Sequence, residues 1–140
     1  MNKNILLKLF TFLITIGIIV ANYAYGTAYA ESPQLSSEER YEIALKQWVN
    51  NVIEKESEGD TNVEIIDTNG EWSRGCLQFQ DSTWNSYTKK YGLSGSPKDC
   101  ELAKQVAVLM IKDNYSLWKS WYTTVIKKKV GLPPKLSDFL

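Results

Sequence analysis

Between Tyr41 and Gly59 the apolar residues return at a helical period. Tyr41, Leu45, Trp48, Val49, Val52 and Ile53 fall at i, i+4, i+7, i+8, i+11 and i+12, one continuous stripe on a helix. Glu56 occupies the next position of that series, near the middle of the stripe, while Glu54 and Glu58 project roughly the opposite way. A charged side chain is rarely buried without a partner or a purpose, because desolvating it costs several kcal/mol. A carboxyl group in such a place tends to hold its proton, which general acid catalysis near neutral pH requires. The competing reading is structural. Glu56 lies in the last turn before Gly59, where a helix end can fray, and it could curl out to water or pair with Arg74 or a lysine.

Beyond Gly59 the period changes. Val63, Ile65 and Ile66 are followed by Asn69-Gly70 and then by Glu71 and Trp72, which predicts a small β-ribbon with its turn at the Asn-Gly pair. Asp81 or Ser82 is expected to cap a second helix through Trp84, Tyr87 and Tyr91, ended by Gly92. After a loop at Gly95 to Pro97, Asp99 starts a third helix with an apolar face of Leu102, Val106, Leu109 and Met110. A short last helix carries Tyr115, Trp118 and Trp121, and beyond Gly131-Leu132-Pro133-Pro134 an extended tail is expected. Upstream, Glu31 to Leu35 reads as a linker, with Ser36 or Ser37 as the cap of the first helix. The pattern therefore predicts an α+β fold, mainly α, with a short β-hairpin between the first and second helices.

The extreme N-terminus has a different grammar. Lys3 and Lys8 precede an apolar run from Leu9 to Ala21, and Ala28-Tyr29-Ala30 fits a signal peptidase site. Residues 1–30 are read as a signal peptide, with an uncleaved N-terminal anchor as the alternative. Residues 31–126 would be the domain proper and 127–140 a basic, Pro-containing tail. The two signal lysines leave with cleavage, so the mature chain is slightly acidic. That disfavours nucleic acid as a partner, since phosphates call for a basic stripe. The run Lys127 to Lys129 reads as a solvated helix end. Histidine is absent, which removes Ser-His-Asp and Cys-His catalysis and most zinc sites, and leaves carboxylates as proton carriers. No metal or cofactor is expected. The two cysteines, Cys76 and Cys100, both lie in the exported part. An oxidising compartment and a small core favour a disulfide, worth about 3 kcal/mol by chain entropy; two free buried thiols are the alternative.

These pieces meet in one resemblance. Glu56-Ser57, followed after a short ribbon by Gly75-Cys76-Leu77-Gln78 and then Ser82-Thr83-Trp84, resembles the lytic transglycosylases of the lysozyme-like superfamily. The similarity covers roughly Val49 to Tyr91; the remainder agrees in helix order and aromatic content. The resemblance implies a lysozyme-like domain in which Glu56 is the sole catalytic acid/base and Ser57 steadies the helix end beside it. It further implies that Gln78 lines the cleft and that Gly75 lets backbone come close to a ligand; for Gln78 the alternative is a turn-capping amide. Cys76 stands where the family usually has an aliphatic residue, and Asp81 where it usually has proline. The family's later Ala-Tyr-Asn-Ala-Gly motif, whose tyrosine orients the acid, is missing; Tyr115 is the nearest stand-in.

The implied reaction is cleavage of the β-1,4 bond between N-acetylmuramic acid and N-acetylglucosamine. The implied partner is the peptidoglycan glycan strand, met by a secreted, extracytoplasmic monomer that touches membrane only through its signal peptide. A hydrolytic lysozyme is the near rival and needs a second carboxylate, for which Asp67 and Glu71 are the candidates. Exposed loop charge is the plain alternative for both. A wall-binding or secretion-associated module of the same fold, without catalysis, is the rival from another class.

Overall fold

The structure, a computed structural model, describes residues 34–140; the signal segment, with the question of cleavage or anchoring, lies outside the described residues. Helix α1 spans Ser37–Glu56. Ser36 is its cap, through a capping box: the Glu39 amide donates to Ser36 Oγ, and Glu39 Oε2 accepts from the Ser36 amide at 2.8 Å. All six residues of the apolar stripe are buried, against helix α3 (Cys100–Asp113) and the C-terminal 3₁₀ turn Leu136–Phe139.

Strands β1 (Glu64–Ile66) and β2 (Trp72–Arg74) pair antiparallel, with Ile65 opposite Ser73. The turn closes through Asp67 N–H to the Glu71 carbonyl at 2.8 Å and Gly70 N–H to the Asp67 carbonyl at 2.9 Å. The expected hairpin is present, and a third strand, β3 (Phe79–Gln80), extends it on the β2 side. Two left-handed residues, Gly75 at φ +72° and Gln78 at φ +50°, bend the chain tightly enough to bring β3 back. Strand β3 runs directly into helix α2 (Asp81–Tyr91), and this corrects the expected cap. The N-cap position falls on Gln80, whose side chain makes no capping bond. Asp81 instead accepts from Arg74 Nε at 3.0 Å, and Glu71 reaches over from the hairpin to accept from the Ser82 hydroxyl at 2.6 Å. Gly92 ends α2 in the left-handed conformation, and Asp99 caps α3 by accepting from the Leu102 amide.

The Cys76–Cys100 disulfide pins the start of α3 to the turn before β3. Across it lies an aromatic core in which Trp121 sets its ring edge-on to both Trp48 and Phe79. After α3 the chain continues as a 3₁₀ helix (Tyr115–Trp121) and a π-helical turn (Thr123–Lys127). The stretch expected to trail as a tail packs back on α1: Trp48 Nε1 donates to the Gly131 carbonyl at 2.9 Å, and Phe139 sits against Tyr41. Among the described residues no helix is long and apolar enough to cross a membrane.

Candidate active site

Glu56 is the last residue of α1, and its side chain retains 17% of its exposure. It lines a cavity of about 410 Å³ together with Asp67 and Ser73 of the hairpin, Gln78, Phe79 and Gln80 around β3, and Thr83 of α2. Ser120, Trp121 and Lys128 close it from the C-terminal side. The stripe that drew attention to Glu56 therefore ends at an open space. Arg74, one of the partners open to Glu56 on sequence, is engaged by Glu64 and Asp81. The basic neighbour of Glu56 is Lys128, whose Nζ lies 4.0 Å from Oε2, an ion-pair distance but beyond a hydrogen bond.

The residues around Glu56 divide by what their polar atoms are already doing. Ser57 caps the end of α1: its amide donates to the Ile53 carbonyl, and its hydroxyl donates to the Cys76 carbonyl at 2.9 Å. It steadies the helix end, as expected, but does not line the cavity with Glu56. Gly75 is needed for a close approach, though of a different kind from the one anticipated. A Cβ there would stand 2.1 Å from the Pro97 carbonyl oxygen, so the 95–98 loop is the neighbour that demands a glycine. Gln78 lines the cavity, and its amide nitrogen donates to the Gly75 carbonyl at 2.7 Å and the Val63 carbonyl at 3.2 Å. With both amide protons used, Oε1 is what it can offer a ligand.

The two acids of the hairpin part company. Asp67 faces the cavity, where its Oδ2 accepts from the Ser73 hydroxyl at 2.5 Å and from Gln80 Nε2 at 2.8 Å. These bonds, that from Ser73 first, hold its carboxyl below the usual range despite partial burial. It is therefore ionised at neutral pH. Glu71 does not line the cavity, and its carboxylate serves the first turn of α2 through Ser82. Tyr115 is likewise elsewhere: its hydroxyl donates to the Pro133 carbonyl at 2.9 Å, and Lys135 stands over its ring. It cannot orient Glu56, because the 3₁₀ helix that starts at Tyr115 delivers its far end, Ser120 and Trp121, to the cavity.

Trp121, expected only as part of a short last helix, also lines the cavity. It is 4% exposed, fixed by Nε1–H donation to the Leu77 carbonyl at 2.8 Å, and packed edge-on against Phe79 at the cavity wall. Ile65, Ser73, Phe79, Gln80, Thr83, Ser120 and Lys128 were missed as well. Lys128 had a signal, its place in the Lys127 to Lys129 run, but one that resembles any solvated helix end.

A depression of about 490 Å³ lies between α1 and α3, and its charges are paired among themselves. Lys46 and Lys112 flank Glu42 there, held to about pKa 2 by the hydrogen bonds from both lysines, and Lys104 pairs with Glu101. Such surface pairs leave no group poised for proton transfer. Comparisons with protein-family models, curated proteins and solved structures return no match.

Proposed function

We propose that the protein is an exported lytic transglycosylase that cleaves the bond between N-acetylmuramic acid and N-acetylglucosamine, with Glu56 as acid/base. The observation that carries this reading is the position of Glu56. It is a largely buried carboxyl group at the end of an apolar helix stripe, lining a cavity whose wall includes Phe79 and Trp121. Protonated Glu56 donates to the glycosidic oxygen as the C1–O bond breaks and oxocarbenium character develops. The muramoyl C6 hydroxyl then attacks C1, and its proton returns to Glu56, leaving a 1,6-anhydro end. The disulfide fits an oxidising, extracytoplasmic setting.

Hydrolysis is the second reading, and one observation favours it: ionised Asp67 lines the same cavity as Glu56. A carboxylate there could stabilise the cation or activate water. Glu56→Gln, which keeps shape and removes the proton, is expected to lower peptidoglycan cleavage by about 10²–10⁴-fold while the melting temperature holds. Unchanged cleavage would remove Glu56 as the acid, and no cleavage by the unsubstituted protein would leave a binding module. Mass spectrometry of the wild-type products separates the two chemistries, since hydrolysis adds one water that the anhydro end lacks.

A further inference from the structure

Among the described residues, Lys128 is the only cation lining the cavity that Glu56 shares with Asp67. Its placement is built into the fold. Lys128 caps the π-helical turn, donating its amide to the Thr123 carbonyl, and Lys129 follows at φ +60°, a left-handed conformation unusual for a lysine. At the end of α1, Lys128 Nζ donates to the Lys55 carbonyl and sits 4.0 Å from Glu56 Oε2. An ammonium has three protons to give. One is engaged by Lys55, none is hydrogen-bonded to Glu56 at that distance, and the side chain is 44% exposed. Capping the C-terminal end of α1 accounts for the first bond, and the rest of the ammonium stays open to the cavity mouth and to solvent.

We propose that Lys128 is the receptor for a carboxylate carried by the glycan, the lactyl carboxylate of N-acetylmuramic acid, which is free wherever the stem peptide has been removed. This rests on the glycan-cleaving reading above. An anionic sugar entering past Asp67 meets a like charge, and Lys128 supplies the opposite charge that lets it dock. Lys128 is thus a specificity residue, favouring stripped, acidic strands over uncharged amino-sugar polymers.

The test is binding, in protein carrying Glu56→Gln so that nothing is cleaved. A GlcNAc–MurNAc tetrasaccharide with free lactyl carboxylates is titrated by NMR beside the same tetrasaccharide with those groups amidated. The acid is expected to bind about fivefold more tightly than the amide, in the range of a partly exposed ion pair. Adding Lys128→Met should abolish that preference and adding Lys128→Arg should keep most of it; Lys128→Gln repeats the test if the methionine variant melts early. No preference, a preference that survives loss of the lysine charge, or no binding of either sugar overturns the assignment. Cleavage of glycan by the unsubstituted protein is scored separately. Cleavage without the preference overturns the role of Lys128 alone, and the preference without cleavage overturns the enzymatic reading alone.

Discussion

Replacing Gly75 by alanine should be among the most damaging single-methyl additions in this domain, and the cost can be built from two parts. The first is conformational: φ is +72°, and an L side chain in the left-handed region costs about 1 kcal/mol. The second is steric. The new Cβ would stand 2.1 Å from the Pro97 carbonyl oxygen and 2.7 Å from its carbon, both backbone atoms, so the loop must retreat by about 1 Å. It is poorly placed to do so. The loop runs on through Asp99, the cap of α3, to Cys100, which is bonded to the neighbour of Gly75, and Trp84 Nε1 holds the Gly95 carbonyl. Overpacking against such a segment costs about 1–3 kcal/mol, for a total near 2–4 kcal/mol. Gly70 is the internal control: its φ is +83°, but open space surrounds it, so Gly70→Ala should lose only about 1 kcal/mol. Urea unfolding followed by tryptophan fluorescence measures both. Equal losses in the two variants would refute the contact with Pro97. A Gly75→Ala protein of full stability and lost activity would instead restore the idea that Gly75 makes room for a ligand.

Removing the disulfide with Cys76→Ser/Cys100→Ser reopens a loop of sequence separation 24, worth about 3–4 kcal/mol by chain entropy. Calorimetry should show the melting temperature fall by roughly 15–25 °C, and a fall under about 5 °C would count against it. Asp67→Asn should cost about 1–2 kcal/mol at pH 7, through weakened bonds from Ser73 and Gln80. Because the folded pKa of Asp67 is lowered, its contribution is complete above the unfolded value of about 3.9 and disappears as pH falls through the folded value. The deficit of the variant should therefore close below about pH 4, and parallel stability curves for the two proteins would refute the bonding.

What the sequence made legible was whatever has a strong period. The stripe from Tyr41 to Ile53 is the buried face of α1 residue for residue, because twenty residues of helix average out local accidents. The Asn69-Gly70 turn was legible because a tight hairpin turn demands that chemistry. Strand β3 was not, since two residues carry no alternation to read. Its existence depends instead on left-handed conformations at Gly75 and Gln78, the second a residue that seldom advertises one. The C-terminal stretch misled for a related reason. Gly131 and Pro133 look like a trailing segment, yet their carbonyls are the acceptors for Trp48 and Tyr115, a pairing across many residues that no local pattern encodes.

The acids of the hairpin show where sequence alone stops. Asp67 and Glu71 flank the same Asn-Gly turn and close its backbone bond with each other, so local sequence offers no reason to prefer either. Register makes the difference. Ser73 lies opposite both Ile65 on β1 and Gln80 on β3, which puts a hydroxyl and an amide on the cavity side of the sheet, both donating to Asp67. Glu71 leaves the turn on the other side, where α2 starts without a capping side chain of its own and takes one from the hairpin. One carboxylate is thereby committed to the fold, while the other is held charged at the cavity. Asp67 is consequently the acid whose replacement can speak to the chemistry. If Asp67→Asn folds normally at pH 7 and still releases anhydro ends at the wild-type rate, Glu56 works alone. If cleavage collapses and the wild-type products carry an added water, the two carboxylates work as a pair.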